Sequence, residues 1–209
     1  ETYKVAYREQ LAESYKNNGV SLSSYVNIGA SFGDYIKNTA KLTIFLALIG
    51  ISMYVAYAFS GTVAGISSLS FAAITLITLF HDVILAAGFY ILTSYFLPQF
   101  QIDTFFITAL LTILGYSIND TIVIFDRIRS NLREFGGKGK DLATIITESI
   151  NDTMTRSLYT SLMVIFVLAC ILVFGPESIQ GFTLTMLYGT IIGTFSSIFI
   201  ASPILYEFH

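Results

Sequence analysis

Five apolar runs, each near the ~20 residues a helix needs to cross a bilayer, dominate this chain. They are Leu42 to Phe59, Ser67 to Leu97, Phe105 to Phe125, Ser157 to Phe174 and Phe182 to Leu205. Most breaks between them carry turn chemistry: Ser60-Gly61, Pro98, Gly136-Gly137 and Gly175-Pro176. Only 12% of the residues are charged, against roughly 25% in soluble domains, and the mean hydropathy is +0.70. A chain with so little polar surface has lipid as its solvent, and the expected fold class is an all-α polytopic membrane protein.

The polar stretches set organisation and orientation. Residues Glu1 to Asn38 are mixed and too short to bury a core. Within them Lys4 to Lys16 reads as a helix stopped at Asn17-Asn18-Gly19, and Val20 to Ile28 is weakly strand-like. Ser31 and Asp34 resemble a capping box opening a helix at Phe32. The chain begins at Glu1 without a signal-peptide pattern, so it reads as part of a longer protein. The stretch Asp126 to Arg156 holds Arg127, Arg129, Arg133, Lys138, Lys140 and Arg156, whereas the loops around Pro98 and Pro176 hold no Lys or Arg. The positive-inside rule puts the basic stretch in the cytoplasm and the two other loops outside, despite Lys37 and Lys41 on the outer side. Alternation then places residues 1–38 outside and the C-terminus inside. Leu142, Ile145, Ile146, Ser149, Ile150 and Thr153 share one helical face behind a candidate N-cap at Asp141. This predicts an amphipathic helix over about 141–155, lying on the membrane surface and feeding the fourth span.

Ionisable groups inside a span cost at least a few kcal/mol and need a reason. Asp120 lies inside the third run, with Tyr116, Ser117, Asn119, Thr121 and Ile124 nearby. Burial disfavours the charged form of a carboxylate unless a cation compensates, so such a group is suited to taking up and releasing a proton. The bland alternative is a structural carboxyl satisfied by hydroxyls. His81 and Asp82 interrupt the second run, where Thr75, Thr78 and Asp82 fall on one helical face. They form either a proton relay or a polar knot between helices, and neighbours about 100° apart on a helix are not necessarily partners. Arg156 opens the fourth run as a counter-charge, a gate or an interfacial arginine. The last run carries the small residues Gly181, Thr185, Gly189, Gly193, Ser197 and Ala201 at helical spacing, of which Gly189, Gly193 and Ser197 predict a tight helix–helix seam. Cys170 reads as a buried, inert thiol. No metal set, cofactor motif, nucleotide loop or nucleophile constellation is present, and no basic cluster points to nucleic acid, so an enzyme is not expected.

The run Gly115-Tyr116-Ser117-Ile118-Asn119-Asp120-Thr121-Ile122-Val123-Ile124-Phe125-Asp126-Arg127-Ile128-Arg129, followed by Asn131-Leu132-Arg133, resembles the signature of the SecF family. His81-Asp82 resembles that family's His-Asp pair in the preceding span. Val26 to Gly33 resembles its segment leaving the periplasmic domain, with Ala30 in place of Pro, and Ser130 stands where Glu is usual. The resemblance implies five transmembrane helices of a six-helix half, preceded by the end of a periplasmic domain (residues 1–38). It implies pairing with SecD, as a separate chain or a fused half, and action beside the Sec translocon in the bacterial or archaeal inner membrane. There the proton gradient would help draw preproteins outward. It also implies that Asp120 and Arg156 lie on the proton path. The family resembles resistance-nodulation-division transporters, so a small-molecule or lipid efflux subunit of that superfamily is the alternative, and a non-transporting scaffold is a third.

Overall fold

The computed structural model describes residues 10, 13, 30–61, 63, 65–97, 99–135 and 139–208, with the side chains of 30–37 left aside. The strand over Val20 to Ile28, the side chains of the Ser31–Asp34 box, and the turn residues Pro98, Gly136 and Gly137 lie outside the described residues. Of the helix expected over Lys4 to Lys16, only Gln10 and Glu13 are described, and both are helical. The chain divides into two compact units, residues 1–39 and 40–209. The bundle described below belongs to the second.

The helices are α1 (Ala30–Ala58), α2 (Ser68–Phe96), α3 (Thr104–Phe135), α4 (Leu142–Phe174), α5 (Gln180–Ser196) and α6 (Ser202–Glu207). A 3₁₀ turn, Glu177–Ile179, leads into α5, and a π-helical turn, Ser197–Ala201, joins α5 to α6. Among the described residues, five helical segments are long and apolar enough to cross a membrane, including Asn38–Ala58 within α1 and Glu177–Glu207 as one continuous final span. This is the all-α multi-pass architecture that the five apolar runs require.

The final span is the most buried of the five and α1 the least. Accordingly α5 packs against α2, α3 and α4. Its small residues explain this central place. A methyl group at Gly193 would stand 3.1 Å from Ser117 Cβ on α3, one at Gly189 would overlap Ile113, and one at Gly181 would come 2.7 Å from the Tyr90 hydroxyl. Thr185, Ser197 and Ala201 are fully buried. In lipid, packing replaces the hydrophobic effect as the force between helices, and small residues permit it. The π turn also has a local cause. Pro203 supplies no N–H and its ring crowds the carbonyl four residues back, so the regular α pattern cannot run through Phe199. The Ser202 hydroxyl donates to the Ser197 carbonyl at 3.2 Å, five residues back, across the turn.

The segment expected as a separate surface helix behaves differently. Residues 142–174 form one helix, about 50 Å long at 1.5 Å per residue, against a hydrocarbon core of about 30 Å. No Pro or Gly interrupts residues 142–174, so nothing turns the chain onto the membrane plane. The apolar face of the overhang packs on the equally long α3: Ile145 and Ile146 join Ile124, Phe125, Ile128 and Leu132 in one core. Asn131 Nδ2 donates to Ser149 Oγ at 2.9 Å in the same seam, and Arg127 pairs with Asp152 at 2.6 Å on its exposed edge. The amphipathic pattern is real, but its partner is a protein helix rather than lipid.

Replacing Gly193 by Leu should separate α5 from α3 and lower the thermal stability of the protein in detergent. Overpacking of this kind costs about 1–3 kcal/mol. An unchanged melting temperature would mean that this contact does not hold the bundle together.

Candidate functional site

Inside the bundle, two carboxylates are buried on neighbouring helices. Asp120 projects from α3 towards α4. Its Oδ2 accepts a hydrogen bond from Ser161 Oγ at 3.2 Å, and Ser161 in turn accepts from the Tyr116 hydroxyl at 3.1 Å. Ser157, four residues before Ser161, is also buried beside the carboxylate, its hydroxyl making no hydrogen bond of ordinary geometry. Arg156 is near enough for its charge to act on Asp120. It is exposed, however, and among the described residues no ion pair joins the two.

Asp82, fully buried on α2, is the more heavily bonded of the pair. Its Oδ1 lies 2.9 Å from His81 Nδ1. Its Oδ2 accepts from Ser117 Oγ of α3 and from Ser196 Oγ of α5, the latter at 2.7 Å. His81 and Asp82 are therefore partners after all, the half-exposed imidazole lying against the carboxylate of the next residue. Thr75 and Thr78, on the same face of α2, are also fully buried, and their hydroxyls return to carbonyls of their own helix at 2.8 and 3.0 Å.

The residues singled out around Asp120 do not all gather there. Ser117 serves Asp82 instead. Thr121 is buried but makes only a long bond, 3.4 Å, to the Ser117 carbonyl of its own helix. Asn119 is exposed on the far side of α3. Gly193 stands against Ser117, so the small-residue seam and the Asp82 cluster meet at one point. Beside Ser117, the serine donors to the two carboxylates are Ser161 and Ser196, on other helices again. A serine inside an apolar run is common and gives no warning of its partner; Ser161 falls four residues after Ser157 on one α4 face, which is the only signal available. Among the described residues, no cluster of His, Cys, Asp and Glu could hold a metal ion.

A third polar group is structural. Arg129 of α3 is buried and reaches back to the end of α1, where Nη1 donates to the Ala58 carbonyl at 3.3 Å and Nη2 to the Ser60 carbonyl at 2.6 Å. Its guanidinium lies 5.3 Å from the centre of the Phe59 ring, which belongs to an aromatic cluster with Phe71 and Phe125. Ser68 Oγ donates to the Ala56 carbonyl at 2.7 Å. Together they satisfy carbonyls that the helix end leaves open.

Five spans, four of which meet at a buried pair of carboxylates, define a polytopic α-helical membrane protein with acidic groups in its interior. Residues 8–209 match the family described as protein export membrane protein SecD/SecF, C-terminal, and the chain belongs to this family. It is 43% identical over 179 residues to the protein translocase subunit SecF of Sebaldella termitidis, covering 86% of this chain and 54% of that one. To the SecF subunit of Calditerrivibrio nitroreducens it is 37% identical over 199 residues, covering 95% of this chain and 61% of that one. The fold is similar to the crystal structure of SecDF, a translocon-associated membrane protein from Thermus thermophilus, with a TM-score of 0.80 and 29% identity, covering 96% of this chain and 26% of that one. The chain thus spans little more than half the length of the curated relatives it matches.

Replacing Arg129 by Met keeps most of the bulk but leaves the Ala58 and Ser60 carbonyls without their donors. Hydrogen bonds to a charged group are worth about 1.5–3 kcal/mol, so the melting temperature in detergent should fall, and Arg129→Lys should restore only part of it. Full stability of Arg129→Met would show that this cap carries no weight.

Proposed function

We infer that this chain is the membrane domain of a SecF-type subunit that assists the Sec translocase, using the proton gradient to help export preproteins. The observation that carries this reading is Asp120: a carboxylate buried in a span, in the motif Asn119-Asp120-Thr121, held by Ser161 of the next helix, which in turn accepts from Tyr116. Arg156 is the counter-charge that an approach of α3 and α4 would bring to bear, and His81 with Asp82 is a second proton-holding station. The names of the relatives favour this reading over small-molecule or lipid efflux. The partners are SecD, as a separate chain or a fused half, the translocon, the preprotein, protons and the bilayer. The role is accessory rather than enzymatic. Residues 1–38 are the end of a periplasmic domain and 39–209 the transmembrane domain.

A modest movement of α4 relative to α3 changes both the hydrogen bonding and the charge around Asp120, and so links protonation to shape. The test uses the full-length protein. Asp120→Asn keeps size and hydrogen-bonding capacity but removes titration. It should leave membrane accumulation close to that of the wild type and abolish the gradient-driven stimulation of export in inverted vesicles, while Asp120→Glu retains part of it. Wild-type export by Asp120→Asn with the gradient present would make the carboxyl a structural group and the bundle a scaffold. Should Asp120→Asn fail to accumulate, Arg156→Lys is the variant to assay, with partial loss of stimulation expected.

Orientation follows from the charge asymmetry. In a Cys170→Ser background, a cysteine at Gln101 should react with a membrane-impermeant thiol reagent on intact cells, and a cysteine at Lys140 should not. The opposite labelling would invert the topology.

A further inference from the structure

Ser196 stands where the Asp82 cluster meets the π turn. Its hydroxyl donates to Asp82 Oδ2 at 2.7 Å, but the Gly193 carbonyl lies 3.2 Å away as a second acceptor. A serine has one O–H and can serve only one acceptor at a time. The Gly193 carbonyl is itself contested: it takes the backbone N–H of Ser197 and lies 3.1 Å from the Ser197 hydroxyl. Residue 197 is the first of the π turn, and the Ser202 hydroxyl leans on the Ser197 carbonyl from its other end.

Ser117 of α3 and Ser196 of α5 both donate to Asp82 Oδ2, and His81 Nδ1 of α2 lies 2.9 Å from Oδ1. That arrangement suits a carboxylate, which only accepts. A protonated acid must donate one bond itself, and the bond to Ser196 is the one with an alternative already in place. When Asp82 Oδ2 carries the proton, its O–H donates to Ser196 Oγ, and the serine proton turns to the Gly193 carbonyl. That added bond competes with those of Ser197 at the point where α5 gives way to the π turn. Hydrogen bonding of a serine back to its own helix bends helices in this manner, and π turns are frequent at functional sites.

We propose that Ser196 is a positioning residue that transmits the protonation state of Asp82 to the π turn Ser197–Ala201, making this turn the joint through which the last span responds to protons. The titratable groups around Asp82 are few. His81 is its neighbour on α2. Asp120 lies one turn along α3 from Ser117 and is engaged by Ser161 of α4. Tyr188, the only titratable residue of α5, is tied to Thr93 Oγ1 at 2.8 Å. Of these groups His81 touches the carboxyl, at Oδ1; a proton taken up on that oxygen reaches the Ser196 side when the carboxyl turns about its Cβ–Cγ bond.

The inference rests on the proton-coupled reading of the bundle, but its test does not use export. Hydrogen exchange of the backbone over Thr190 to Leu205 is measured by mass spectrometry at one fixed pH, on the full-length protein in lipid nanodiscs. Asp82→Asn, whose amide donates as a protonated acid would, should speed exchange of this segment about tenfold and leave α3 unchanged. In a Ser196→Ala background the same replacement should add nothing, because the hydroxyl that passes on the signal is gone. An equal effect of Asp82→Asn with and without the hydroxyl, or no effect in the Ser196 protein, would overturn the proposal. If Asp82→Asn does not fold, the wild type and Ser196→Ala are compared at acid and neutral pH after correction for the chemical exchange rate. Only the wild type should then change. A response that persists in Ser196→Ala, or is absent from both, would refute the joint. Loss of export in Asp120→Asn bears on the proposed function and not on this result.

Discussion

Where α5 passes α3, Gly193 faces Ser117 so closely that a single methyl group would stand 3.1 Å from the serine Cβ. Two consequences follow from that missing side chain. The last span moves into the middle of the bundle, where it touches three of the other helices. Ser196, one turn further along, comes within 2.7 Å of a carboxylate on α2. With a larger residue at 193, the helices would stand apart and Asp82 would lose a donor that no water in the hydrocarbon could replace. Packing and polar chemistry are therefore one constraint here.

The same rule, that a polar group away from water must find a partner, explains the membrane edge. The end of α1 leaves carbonyls that the helix cannot satisfy, and Arg129 and Ser68 reach them from two other helices. The basic residues of the third span's far end thus divide by task. Arg129 is committed to the backbone of α1, and Arg127 to Asp152 of α4. Both arginines sit on the long overhang of α3, which packs its apolar face on that of the α4 overhang.

The two carboxylates differ in how they are held. Asp120 has one well-formed hydroxyl donor, a second serine hydroxyl beside it, and Arg156 near by but, among the described residues, not in an ion pair with it. Asp82 takes serine hydroxyls from two other helices and lies against the His81 ring. A lightly held group changes state with little rearrangement, whereas a fully held one forces its neighbours to reorganise. The anchoring itself sets the two apart: Asp120 is tied to one neighbouring helix and Asp82 to two.

The class of fold was legible in the residues alone, because runs of about 20 apolar residues admit few structures but spanning helices. The burial of Asp120 and Asp82 was legible for a related reason: a carboxylate inside such a run has nowhere else to go. So was the close-packing stripe of α5, since only small residues recur at its spacing. The partners were not legible. Ser117 lies three residues from Asp120 yet bonds Asp82, and Asn119, adjacent to the carboxylate, points away. The amphipathic pattern over 141–155 revealed an apolar face but not whether lipid or α3 would cover it. Local sequence determines periodicity and burial through the geometry of one helix. Which serine meets which carboxylate depends on the rotation and approach of separate helices, and that is decided only when Gly189 and Gly193 bring the last span against α3.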